Sequence, residues 1–198
     1  MVLASHIIFT VYGFWLPNDP RGSWSDFVRS WELFRFGGPA TKTDERRSHA
    51  WDSHDVARRQ AAKAALRYDP VQFTGIQAAC VARGFARAIE ESEYRVFACA
   101  ILPDHCHLVV ARHATLAERI IGHLKTRATQ ALVSAGLHPF AQFKGKDGRF
   151  PSVWTHRGWK VFLDSRDVIF SAIEYVEQNP VKEGKREQHW KFVTTRDV

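Results

Sequence analysis

The first apolar run of the chain, SHIIFTVYGFWL from Ser5, is rich in β-branched and aromatic residues and predicts a strand. Turn chemistry follows at Pro17, Asn18, Asp19, Pro20, Arg21 and Gly22. From there to about Gly75 the chain holds Gly37-Gly38-Pro39 and little periodicity. That stretch is far longer than an ordinary structureless loop of roughly 12 to 15 residues, so an insertion with its own role is expected at about 13–75. Inside it, 53–68 predicts a helix with Ala57, Ala61, Ala64 and Tyr68 along one side. Arg59, Lys63 and Arg67 recur every four residues on another side, as either a solvated face or a stripe that contacts phosphates.

Periodicity returns after Gly75. Ala79, Ala82, Ala86 and Ile89 recur at helical spacing within 77–91, and a strand follows over 94–101. Leu102-Pro103-Asp104 then makes a tight turn into a strand over 105–111. A second helix, 116–135, carries Leu116, Ile120, Leu124, Ala128 and Leu132 on one stripe and ends at Gly136. A Gly- and Lys-rich loop at 143–148 leads to a fourth strand over 153–163. The last helix is capped by Asp164 or Ser165, is anchored by Val168, Ala172, Ile173 and Val176, and is expected to stop at Pro180. The order strand, insertion, helix, strand, strand, helix, strand, helix matches an α+β, ferredoxin-like (split βαβ) antiparallel sheet with an extra C-terminal helix.

Composition narrows the class. A chain of 198 residues, 45% hydrophobic and 25% charged, suits one domain, 1–198, with the insertion set into it. No apolar run approaches the roughly 20 residues of a membrane span, and the N-terminal stretch lacks a basic start and a cleavage site, so a cytoplasmic protein without membrane contact is expected. Cys80, Cys99 and Cys106 are an odd set with apolar neighbours and no CxxC spacing, which argues against a disulfide framework or a thiolate zinc site. A net charge of +7 and a pI near 9.6 suit a polyanionic partner, and seven Trp and fourteen Phe supply rings on which unpaired bases could stack.

Two constellations can carry chemistry. On a strand, residues two apart share a face, so His105 and His107 project together and can chelate one divalent ion, while Cys106 faces away. Half-buried histidines bonded to backbone carbonyls are the competing reading of an HxH pair. A metallo-β-lactamase pattern would place Asp two residues beyond the second His, where this chain has Val109. In the last helix Tyr175 and Asn179 are four apart and share a face. A packing Tyr and a C-terminal cap Asn are the plain alternative, and Pro180 disfavours helical geometry at Asn179, which keeps Gln178 in reserve as a ligand.

Together these motifs resemble a known family. LPDHCHLVV resembles the HUH signature (His, bulky apolar residue, His), and EYVEQNPVKEG resembles the Tyr-Ile-x-x-Asn-Pro-Val-Lys-Ala-Gly block of the single-tyrosine HUH transposases of the insertion-sequence 200 type and their REP-associated relatives. The likeness runs from the first strand through Leu124-Lys125 and VWTHRGW to Trp190, outside the insertion. Cys106 between the histidines, Asp104 for the usual Asn, and the long 12–75 region depart from the pattern, but none removes a catalytic group.

The resemblance implies an enzyme that cleaves and rejoins single-stranded DNA, with a hairpin in its substrate, through a 5′-phosphotyrosine on Tyr175. It also implies Mg²⁺ or Mn²⁺ held by His105, His107 and Asn179, although imidazoles by themselves favour softer ions. Lys125, Arg127 and Arg157, with Arg59, Lys63 and Arg67, are expected DNA contacts. A homodimer is compatible with a Tyr-bearing helix that docks on either protomer. The alternatives are a non-catalytic binder of single-stranded or hairpin nucleic acid and a metal hydrolase that uses an activated water.

Overall fold

A computed structural model describes residues 1–45 and 49–194. In chain order the elements are β1 (Ala4–Thr10), α1 (Trp31–Gly37), α2 (Val56–Ala64), α3 (Gly75–Ser92), β2 (Val96–Ile101), β3 (His105–Ala111), α4 (Ala117–Ser134), a single 3₁₀ turn (Ala141–Phe143), β4 (Trp159–Leu163) and α5 (Arg166–Lys182). They form two compact units: Met1–Val11 with the chain from Gln72 onward, and Tyr12–Val71.

The larger unit is an α+β structure whose four strands form one antiparallel sheet in the order β2-β3-β1-β4. Helices between β1 and β2 and between β3 and β4 make this the split βαβ arrangement expected from the sequence. Alternation divides the sheet into two buried faces. Ile7, Phe9, Cys106 and Leu108 lie on the α3/α4 side, where Phe9 meets Phe85 edge to face at 5.8 Å. Thr74 starts α3 with a reciprocal capping box to Gln77. The two helices then approach closely at Gly84, where an added Cβ would stand 2.5 Å from Cα of Ala128.

On the opposite face Ala4, Ala98, Ala100, Val109 and Leu163 form a floor of mostly small side chains under Ile169, Ile173 and Val176 of α5. Ser165 caps that helix, its side chain accepting from the Val168 amide. Ile169, rather than the expected Val168, anchors the first turn, and Val168 is 44% exposed. α5 also continues through Pro180 to Lys182 instead of stopping there. Pro180 has no N–H to give the carbonyl one turn before it, and the helix runs only two residues past it. β4 is shorter than the 153–163 expected, and Trp154 makes only an isolated bridge to Val11.

The smaller unit holds α1 and α2 around a modest core of Leu16, Leu33 and Ala62, with Val28 and Leu66 against it. Its organisation is largely polar. The fully buried Asn18 donates to the carbonyls of Leu33 (2.8 Å) and Gly38 (3.2 Å), and Asp19 pairs with Arg21 at 2.8 Å. α2 is shorter than the helix expected over 53–68, because Asp55 caps it and it closes at Ala65. α1 is not foreshadowed by periodicity, since its aromatic residues Trp31, Phe34 and Phe36 are all exposed and Leu33 is its one large buried side chain.

Candidate functional site

Register brings the histidines together. β1 and β3 pair with Ile8 opposite His107 and Thr10 opposite His105, which puts His6, His105 and His107 on the α5 face of the sheet. The rings of His105 and His107 are 4.9 Å apart, as the HxH spacing requires. Each has its Nδ1 engaged. Nδ1 of His105 lies 2.7 Å from Oδ1 of Asp104, and Nδ1 of His107 lies 3.0 Å from Nε2 of His6. Metal-binding histidines in general carry such a contact on the nitrogen that faces away from the ion.

Burial sets the charge state. Desolvation lowers His6 to about 4 and pushes His107 well below its ordinary value, the latter helped by its neighbours His105 and His6. Both rings are therefore neutral at pH 7, the form in which imidazole has a lone pair to offer. Burial pushes the Asp104 carboxyl up, but the hydrogen bond and charge of His105, with the amide of Gln72, outweigh it and hold the group below the usual range.

α5 supplies the other half. Tyr175 is 46% exposed, and its ring stands 5.7 Å from that of His107 and 5.8 Å from that of His6, edge to face in both cases. The Lys182 ammonium lies 5.3 Å from the Tyr175 ring centre. One helical turn beyond Tyr175, Asn179 is 8% exposed, and its amide nitrogen finds no hydrogen-bond partner among the described residues. Gln178 faces outward. Glu183, at the end of α5, places Oε1 3.8 Å from Nε2 of His105.

Among the described residues no three His, Cys, Asp or Glu side chains form a ready-made cage. A cation here would rest on the two histidines and an amide. The histidine half of the donor set suits that, with both Nδ1 atoms already engaged and the His107 ring buried and neutral. The unpaired Asn179 atom is its amide nitrogen, a hydrogen-bond donor, so a cation would have to use the oxygen of the same amide. The three cysteines are free and buried, and burial pushes the thiols of Cys99 and Cys106 up, so they serve as apolar core.

Of the expected DNA contacts, Lys125 is corrected outright. It is 8% exposed on the α3/α4 side, and its ammonium donates to the carbonyls of Thr155 and Arg157, both at 2.9 Å, beneath the Phe9 ring. Arg127 is held by Glu91 at 2.6 Å and by Gln130. Arg157 is exposed. Arg59, Lys63 and Arg67 lie in the Tyr12–Val71 unit, where Arg59 and Lys63 are half-buried and Arg67 is exposed, 5.3 Å from the Tyr68 ring.

His6 is the site residue that sequence reasoning missed. Its only signal was a polar residue inside the apolar first run, and that becomes informative only once β1 is known to pair with β3.

No protein-family model and no curated protein matches the chain. Among solved structures it is similar to a REP-associated tyrosine transposase bound to a REP hairpin, at 11% identity over 92% of this chain and 68% of that one, with a TM-score of 0.47. It is also similar to a "putative transposase" from Deinococcus radiodurans R1, at 10% identity over 93% of this chain and 92% of that one, with a TM-score of 0.39. Both likenesses are loose, and the chain's own residues carry the function proposed for it. No helix among the described residues is long and apolar enough to cross a membrane.

Proposed function

We propose that this chain is a single-tyrosine HUH transposase, a metal-dependent enzyme that cleaves and rejoins single-stranded DNA carrying a hairpin. The supporting observation is the half-exposed Tyr175 ring, 5.7 Å from His107 on a helix whose neighbouring positions are packed against the sheet. A half-exposed phenol beside a pair of metal-type ligands suits phosphoryl transfer, in which positioning and charge stabilisation supply most of the catalysis.

In cleavage the phenolic oxygen of Tyr175 attacks the scissile phosphorus and the bond to the 3′-oxygen breaks. The products are a 5′-phosphotyrosine and a 3′-hydroxyl, which takes up the proton that the phenol gives up. In rejoining, a 3′-hydroxyl attacks the phosphotyrosine and the phenol is restored, so the energy of the linkage is retained. Mg²⁺ or Mn²⁺ held by Nε2 of His105, Nε2 of His107 and the amide oxygen of Asn179 would polarise the phosphate and stabilise charge on the departing oxygen. Ile169, Ile173 and Val176 fix the helix that presents Tyr175, and Asp104 orients His105.

The test is incubation with labelled single-stranded DNA containing a hairpin and Mn²⁺, followed by denaturing electrophoresis. The wild type should yield a denaturation-resistant protein-DNA adduct and Tyr175→Phe none. An adduct that persists in Tyr175→Phe contradicts the proposal.

A further inference from the structure

His6 lies on the central strand β1, buried, with Nε2 3.0 Å from Nδ1 of His107 and its ring 5.2 Å from that of His107. Two neutral imidazoles in such a contact share one proton, so this single bond fixes both tautomers. Were His6 the donor, His107 would carry its own proton on Nε2, the nitrogen an HxH chelate needs bare. His105 shows the opposite assignment directly. Its Nδ1 faces a carboxylate, which only accepts, so Nδ1 carries a proton.

We propose that His6 does for His107 what Asp104 does for His105: its Nε2 accepts the Nδ1 proton of His107, which reserves Nε2 of His107 as an electron-pair donor. His6 is thus a positioning residue, acting through His107. An uncharged acceptor suits this place better than a second carboxylate, because the ring is buried, where an unpaired charge is costly. The choice of His107 as donor, like its value for cation binding, rests on the function proposed above; the contact between the two rings does not.

The experiment has two readouts. Long-range ¹H–¹⁵N NMR of the metal-free, ¹⁵N-labelled protein reads the protonated nitrogen of each imidazole. His107 is expected to carry its proton on Nδ1, and His6 to be bare at Nε2. Mn²⁺ titration then compares the wild type with two variants. His6→Gln, whose amide oxygen can accept the same proton, should keep both the tautomer and the affinity. His6→Phe, which fills the space without an acceptor, should lose the Nδ1 preference of His107 and bind Mn²⁺ about 10–100-fold more weakly, with circular dichroism to check folding. Wild-type His107 protonated at Nε2 overturns the proposal, whatever the fate of the variants. So does a folded His6→Phe that binds Mn²⁺ like the wild type. A wild type with the expected tautomer but no Mn²⁺ binding upholds the role of His6 and contradicts the cation reading instead.

Discussion

Asn179 is buried, yet its amide nitrogen meets no partner among the described residues, and that combination separates structure from function at one side chain. A residue that makes no hydrogen bond there contributes little to folding through one. Asn179→Ala should therefore keep its unfolding free energy within about 1 kcal/mol of the wild type, while Mn²⁺ affinity and adduct yield fall by roughly tenfold or more. Gln178→Ala, on the outward side of the helix, should change neither. Equal adduct yields from the two variants would remove Asn179 from the site.

Lys125 behaves in the opposite way. Burial lowers its ammonium to about 8, while two carbonyls hold it inward. Because the folded value lies below the roughly 10.4 of an unfolded lysine, the unfolded chain binds more protons between those limits. Folding stability from this group should rise as pH climbs from about 8 to about 10, and its charge penalty should be fully present below that window. Urea unfolding across the range should show the rise in the wild type and not in Lys125→Met; parallel profiles would contradict it.

Among the elements, α3 and α4 give a comparison of opposite signs. Ala is about 1 kcal/mol better than Gly inside a helix. Gly84→Ala should nevertheless lower stability, by about 1–3 kcal/mol, because the new Cβ meets backbone atoms of Ala128 and Arg127 that cannot step aside. Gly122→Ala on α4, with nothing within 4 Å, should raise it by up to about 1 kcal/mol. Urea unfolding of the two variants measures both, and a stabilised Gly84→Ala would contradict the close approach.

The same elements mark what the sequence made legible. α3 and α4 follow from an apolar stripe, because each buries one continuous face, and β2 and β3 from short apolar runs around a turn, because both of their faces are buried. α1 did not, because its aromatic residues point outward and its unit is ordered around the buried polar Asn18 and Asp19, which hydrophobic periodicity does not register. In the site, the relation of His105 to His107 was local and so readable, and Tyr175 with Asn179 followed from helical spacing. His6, 101 positions before His107, entered only through the pairing of β1 with β3. The inward turn of Lys125 likewise depends on loop carbonyls thirty or more positions away.

For the molecule as a whole, the net charge of +7 lies mostly outside residues 12–71, in the part of the chain that carries the candidate site. Single-stranded DNA binding should therefore weaken as salt rises, as it does wherever lysines and arginines displace counterions from phosphates. The most direct measurement is of the covalent bond itself. After reaction with hairpin-bearing single-stranded DNA and Mn²⁺, the protein is digested with nuclease and trypsin and its peptides are read by mass spectrometry. The tryptic peptide 167–182, which contains Tyr175 and no other tyrosine, should carry a nucleotide through a 5′-phosphate on that residue, and chelation of the metal with EDTA should abolish it. A nucleotide on Tyr12, Tyr68 or Tyr94 instead, or cleaved DNA with no modified peptide, would contradict the assignment of Tyr175 as the nucleophile.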